Sequence, residues 1–226
     1  MASTHLLLPL VVFNCYSVVR SMNMTKEEAK KIATQTGLTD SSRCARVCAH
    51  AFYNDPLDKY FFPDEVNRIS KQQQLYRFFL RINAYNTIRV SSPKLESLLV
   101  VEQPFQHRME MSISTSISGL SLIRVGVASL SKMIHYQLRT KALRNTLVQD
   151  PYWYLALIAT SPEHQGKGFA RALLLPLLLE AEKNRESFFL ETNNSRNLSF
   201  YEKLGFRIID AHTMAKMPFI HYCMIR

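Results

Sequence analysis

A chain of 226 residues, 47% hydrophobic and 11% aromatic, can bury the core of one domain and is too apolar for a disordered segment. Four cysteines, Cys15, Cys44, Cys48 and Cys223, are too sparse at this length for a disulfide framework. The net charge of +10 suits an anionic ligand, but Lys and Arg are scattered, not massed beside aromatics, which argues against specific nucleic-acid readout.

Residues 6–13 are apolar but too few to span a bilayer. They lack the basic start of a secretion signal, and Pro9 interrupts them. Residues 1–15 therefore read as an N-terminal extension, with a cytoplasmic protein expected, no membrane span, and secretion the lesser option. Residues 16–226 read as one α/β domain. A first strand is expected over 16–22, and Thr25-Lys26-Glu27-Glu28 has the spacing of a capping box that opens a short helix to about residue 36. A second helix starts near Ser41 and runs toward the turn Asn54-Asp55-Pro56. On it Cys44, Cys48 and His50 invite a metal reading. No second Cys or His cluster completes a set of about four ligands, so no metal is expected and the cysteines read as small buried residues. Pro63-Asp64-Glu65 opens a longer helix, with Val66, Ile69, Leu75, Phe78, Phe79 and Ile82 as its expected apolar positions. Strands come next at Thr87–Val90 and 98–103, turned by Ser91-Ser92-Pro93. Residues 112–121 are serine-rich, and a helical region ends near Leu147.

The apolar run Tyr152–Thr160 reads as a buried strand between Pro151 and Ser161-Pro162. Gln165-Gly166-Lys167-Gly168-Phe169-Ala170 then leads into a helical pattern toward Asn184. A glycine-bearing turn between strand and helix is an anion site, because unpaired helix N–H groups point outward and glycine lets a phosphate approach the backbone. It is not a P-loop, since Gly168 stands where Ser or Thr should come after Lys167. A dinucleotide fingerprint would need a third glycine. A strand over 188–192 comes next, and residues 219–225 read as a closing strand. On an alternating strand Glu191 shares a face with Phe189, opposite Phe188, Leu190 and Thr192; a carboxylate in so apolar a stretch needs a partner or a task.

Two of these segments together resemble the GNAT N-acetyltransferases. Gln165, Gly168 and Ala170 fill the fixed positions of that family's acetyl-CoA motif, Gln/Arg-x-x-Gly-x-Gly/Ala. Asn197-Leu198-Ser199-Phe200-Tyr201-Glu202-Lys203-Leu204-Gly205-Phe206 is similar to its later Asn…Phe-Tyr-x-x-x-Gly-Phe motif. Residues 151–226 look most like the puromycin N-acetyltransferase-like members. They share the opening from Trp153 to Ala156, the run from Ser161 to Gly168, Leu190 to Thr192, Arg196 to Glu202, and Pro176 within the intervening helix. A helix-interior proline costs about 3 kcal/mol, so a shared one is informative. Thr160 departs from the family's usual Val, but it is also β-branched and suits the strand.

The resemblance implies a GNAT fold, a mixed central sheet flanked by helices, with an acceptor-side half over 16–150 and an acetyl-CoA-binding core over 151–210. It implies acetyl-CoA as co-substrate, with the backbone of Ile158, Ala159 and Thr160 pairing with the pantetheine arm. Gln165 belongs to the motif, and the N–H groups of Gly166, Lys167, Gly168, Phe169, Ala170 and Arg171 would cradle the pyrophosphate, with Lys167 and Arg171 adding charge. Asn197 would bond the pantetheine arm, and Tyr201 would protonate the departing sulfur. Glu191 would accept the amine proton or recognise a cationic substrate, a structural ion pair being the other reading. Asp55 is a candidate for holding an ammonium. Trp153, Tyr154, Phe52, Tyr53, Tyr60 and Phe62 either line an acceptor pocket or fill the core, and His164 reads as surface. The expected reaction is direct acetyl transfer to a primary amine of a small molecule, by a monomer or homodimer. A protein or peptide acceptor, or a catalytically silent CoA-binding module, is the alternative.

Overall fold

The computed structural model describes residues 40–83, 86–104, 125–149, 151–214 and 217–226. The N-terminal extension, the strand over 16–22, the helix over 25–36 and the serine-rich 112–121 lie outside the described residues. Helix α1 (Ser41–Ala51) starts at Asp40, whose Oδ1 accepts from the N–H groups of Ser42 and Arg43 at 2.9 and 3.1 Å. Asn54-Asp55-Pro56 is more than a turn. Pro56 opens a short helix, α2 (Pro56–Phe61), and Asp55 Oδ1 caps it by accepting from Leu57 N at 3.0 Å. Six residues are too few for a periodic signal, which is why α2 leaves no mark in the sequence pattern.

Helix α3 (Glu65–Ile82) buries a different face from the one its apolar residues suggest. Val66 is 88% exposed, while Arg68, Gln72, Tyr76 and Leu80 form the buried stripe. Most of their polar ends find partners where they lie, Arg68 Nη1 and Gln72 Oε1 excepted. Arg68 donates to the carbonyls of Phe62 and Pro63, and Gln72 Nε2 donates to Phe52 O at 3.1 Å and to Asp58 Oδ2 at 2.5 Å. Tyr76 OH donates to the same carboxylate oxygen at 2.9 Å. Cys44 and Cys48 are buried beneath this stripe while His50 is exposed, so those three side chains do not converge.

Asp58 is therefore a brace that ties α2 to α3. Burial pushes its carboxyl up to about 7, against the donated bonds from Gln72 and Tyr76 and with Asp55's charge adding to the rise. The folded state thus holds this proton more tightly than the unfolded chain does. The cost of ionising it is absent at low pH, grows as pH rises through the ordinary carboxylate range, and is complete above about 7. Asp58→Asn keeps an oxygen that accepts both bonds. Its Tm relative to the parent should improve between roughly pH 5 and pH 8 in calorimetry; a constant difference would show that Asp58 does not titrate there.

Among the described residues six strands form one mixed sheet: β1 (Thr87–Val90), β2 (Ser97–Glu102), β3 (Tyr152–Thr160), β4 (Ser187–Thr192), β5 (Arg207–Thr213) and β6 (Ile220–Ile225). Their order is β1-β2-β3-β4-β6-β5, with β3 and β4 parallel and every other pair antiparallel. β5, mostly exposed along its length, has no apolar pattern to announce it. Helices cover both faces, as the resemblance implies. α1 and α3 pack on one side over Ile88, Val90, Leu98 and Val100. α5 (Phe169–Asn184) packs on the other, setting Leu173, Leu174, Leu177 and Leu178 against Trp153, Leu155, Phe188 and Leu190. Pro176 lies inside α5, as expected.

The long helix α4 (Val127–Leu147) precedes β3 and grips α2. Ser129 Oγ donates to Phe61 O, Lys132 Nζ donates to Tyr60 O, and Phe61, Phe62, Met133 and Tyr136 pack together. Asp55 is thus held at the end of a helix that is clamped from two directions. Among the described residues no helix is long and apolar enough to cross a membrane.

Candidate active site

The parallel pair β3–β4 is joined only at its beginning. Register runs from Tyr152 opposite Ser187 to Leu155 opposite Leu190 and then stops, although β3 continues to Thr160. On its other edge β3 stays paired to β2, but with a skip: Val100 faces Leu157 and Val101 faces Leu155, which leaves Ala156 as an extra residue. A bulge of this kind bends a strand and re-aims the side chains beyond it. Trp153 and Leu155 lie in the α5 cluster, whereas Leu157 and Ala159 lie in the α1–α3 cluster and Ile158 turns toward α5. The bulge and the end of pairing coincide, and together they open a slit between the two parallel strands.

Along that slit the three predicted backbone residues are not equivalent. Ser97 Oγ donates to Ala159 O at 2.9 Å, so this carbonyl is turned toward β2. In an extended chain the neighbouring groups of Ile158 and Thr160 face the other way, into the slit. At its mouth Gln165 Nε2 donates to Thr160 O at 3.2 Å, which ties the adjoining loop to the strand. Ser161 Oγ and His164 Nδ1 lie 2.7 Å apart, and the His164 ring meets Phe169 edge-on, so His164 braces this loop instead of standing free at the surface.

The loop itself needs its glycines. Gly166 and Gly168 have φ of 75° and 84°, a left-handed conformation that side chains disfavour. At Gly166 a Cβ would meet nothing within 4 Å, so handedness and not crowding sets the requirement there. Gly168 is the residue before α5 and supplies no side-chain cap; the helix's first ladder bond comes from Ala172 N. The N–H groups of Phe169, Ala170 and Arg171 therefore lie ahead of that ladder, the first turn holds no acidic residue, and Lys167 and Arg171 are exposed beside it.

Beyond β4 the chain makes a short 3₁₀ turn (Ser195–Asn197) and then α6 (Leu198–Glu202). Asn194 Oδ1 caps the turn through Arg196 N, and Asn197 starts α6 without using its side chain as a cap. Tyr201 is buried in the α5 cluster with its ring edge-on to Phe200 and Phe206. Burial pushes its phenol well above the ordinary range, and the charge of Asp55 pushes it the same way. Asp55, the cap of α2, is itself raised by burial, with the bond from Leu57 N and the side chain of Asn194 opposing.

Glu191 follows Leu190 on β4, where the pairing with β3 has just ended. It lies on the Phe189 face, as its alternation predicts, but it is absorbed in a buried polar group beneath α4. Tyr154 OH donates to its Oε2 at 2.9 Å, Arg144 Nε is 4.0 Å from Oε1, and His221 Nε2 is 3.8 Å from the same oxygen. Arg144 also stacks on the Tyr154 ring at 3.9 Å. Of the six candidate aromatics, Trp153 donates to Glu186 from the core, Phe52 stacks on Tyr76, Tyr53 lies under Arg68, and Phe62 is fully buried. Tyr60 and Tyr154 sit under Lys132 and Arg144.

Residues 125–208 match the family model described as Acetyltransferase (GNAT) domain. Over 57 residues the chain is 33% identical to an uncharacterized N-acetyltransferase of Schizosaccharomyces pombe, a stretch that is 25% of this chain and 23% of that protein. The match thus spans about a quarter of the curated relative. Among solved structures, a Corynebacterium glutamicum protein described as histone acetyltransferase HPA2 and related acetyltransferase superposes with a TM-score of 0.58 at 18% identity, covering 84% of this chain and 93% of that one. An insect putative arylalkylamine N-acetyltransferase 7 from the yellow fever mosquito gives 0.51 at 12% identity, covering 84% and 85%. At such identities these structures share a fold.

Proposed function

We propose that this chain, which carries a GNAT acetyltransferase domain on a GNAT fold, transfers acetyl from acetyl-CoA to a primary amine of a small molecule. The observation that carries this reading is the backbone edge of β3 left unpaired beyond Leu155, which leads into the left-handed Gly166–Gly168 loop and the free N–H groups at the start of α5. The slit edge at Ile158 and Thr160 suits an extended arm bearing amides, and the N–H groups from Gly166 to Arg171 suit its pyrophosphate. Asn197, with its side chain uncommitted to capping, suits the arm's far end. Asp55 takes the proton of the incoming ammonium. The freed amine attacks the thioester carbonyl, the C–S bond breaks, Tyr201 gives its proton to the departing sulfur, and the proton shed by the acylated nitrogen passes through solvent to the tyrosinate, so no acyl-enzyme forms. The likeness of residues 151–226 to puromycin N-acetyltransferase-like members supports a small acceptor over a peptide. It also supports Tyr201 over Glu191 as a participant, since Glu191 is engaged by Tyr154.

The test is thiol release from acetyl-CoA by the purified chain against a panel of small amines and peptides with free N-termini. Asp55→Asn separates recognition of the amine from folding, because asparagine caps a helix as well as aspartate does. The expected result is a fall of ~10²–10³ in kcat/KM for the amine, partly recovered as pH rises and free amine is supplied by solution, with acetyl-CoA affinity unchanged. Unaltered kcat/KM would remove Asp55 from the reaction.

A further inference from the structure

We propose that Glu191, His221 and Cys223 form a binding site for a divalent transition-metal ion of zinc's class, on the sheet face beneath α4. The three donor atoms lie within 4.8 Å of one another. Strand register brings them together: Glu191 is opposite Cys223 on the neighbouring β6, and His221 is two residues along β6 on the same face. His221 and Cys223 are fully buried, and the Glu191 side chain is 7% exposed. The donors are the oxygen, nitrogen and sulfur that zinc takes, in the number it keeps in sites that leave a fourth position open.

Two orphaned atoms point to an ion. Glu191 Oε1 and His221 Nε2 are both buried without a hydrogen-bond partner, yet they face each other at 3.8 Å. The histidine tautomer is set by its other nitrogen. His221 Nδ1 is engaged by Asn193 Oδ1 at 2.9 Å and Tyr136 OH at 3.3 Å, so Nε2 is the ring nitrogen left to face Glu191. With Nδ1–H donating to Asn193 in the neutral ring, Nε2 presents a lone pair to a carboxylate oxygen, an arrangement that a cation between them relieves. Arg144 does not fill that role. Its Nε is 4.0 Å from Oε1, beyond hydrogen-bond reach, and its guanidinium is stacked on Tyr154.

Charge around the site accommodates a divalent ion. A bound ion would convert the Cys223 thiol to thiolate and release its proton to solvent, so affinity should fall as pH is lowered. Asp210, opposite Cys223 on β5 and joined to His212, adds the negative charge that offsets Arg144. The ligands come from strands far apart in sequence, which is why their spacing does not announce a metal and the sequence alone points to none.

The experiment uses the full chain, stripped with chelator and titrated with Co²⁺. About one equivalent should bind with a thiolate-to-cobalt charge-transfer band, Zn²⁺ should bleach it, and the band should weaken on acidification. Cys223→Ser should abolish the band, and Glu191→Gln should weaken Co²⁺ binding at least ~10-fold, both with acetyl-CoA binding retained. Absence of the band in the folded parent protein overturns the site, as does its survival in Cys223→Ser. A doubly protonated His221 in zinc-saturated protein, read by nitrogen NMR, overturns it too, since a proton would then hold the place. None of these readouts requires acetyl transfer.

Discussion

Replacing Tyr201 with phenylalanine is expected to lower kcat by ~10²–10⁴ while leaving acetyl-CoA affinity intact, because only the proton donor to the leaving sulfur is lost. The ring stays in its cluster against Phe200 and Phe206, so packing is preserved. Burial and the Asp55 charge keep the phenol protonated at every working pH, which is the form a general acid needs. The contact matters as charge develops on sulfur, so the loss should fall on kcat far more than on KM. Single-turnover thiol release, with binding measured separately by calorimetry, gives both quantities. Wild-type turnover by Tyr201→Phe, with chemistry rate-limiting, would assign the proton to water or another group.

Gly168→Val should raise the dissociation constant for acetyl-CoA by at least ~10-fold. At a φ of 84° a β-branched residue is strained by about 1–3 kcal/mol, and relief of that strain rotates the very N–H groups that open α5. Gly168→Ala, with a smaller side chain in the same conformation, should lie between. Titration calorimetry on variants with retained circular dichroism decides the matter; unchanged affinity in the folded valine variant removes the loop from the binding site.

What was legible in the chain was local. The strand, loop and helix from Tyr152 to Asn184 are contiguous, each signalled by its own pattern, and the fold class could be inferred from them. The face of α3 was not legible, because Arg68, Gln72 and Tyr76 are buried through partners contributed by Phe52, Asp58 and Phe62 from other elements. Ala156 looks like an ordinary step in an alternating strand; its bulge exists only in relation to Val100 and Val101. The helix α2 that Asp55 caps is equally invisible, since its place depends on how Ser129 and Lys132 of α4 hold the carbonyls of Phe61 and Tyr60. Glu191 was placed on the right face by alternation, but Arg144, Tyr154 and His221, which surround it, come from three other elements.

The slit between β3 and β4 also bears on how this protein can drift under mutation. Its open edge follows Leu155 and runs to Thr160, roughly 16 Å of extended backbone, and under the proposed function it would measure a ligand by length and by the rhythm of its amides. Recognition of that kind is indifferent to the side chains that line it. Thr160 can stand where relatives carry Val, its hydroxyl spent on Ser97, without altering what the strand offers. Binding capacity is thereby written in the main chain, while the side chains around it remain free to change with the acceptor.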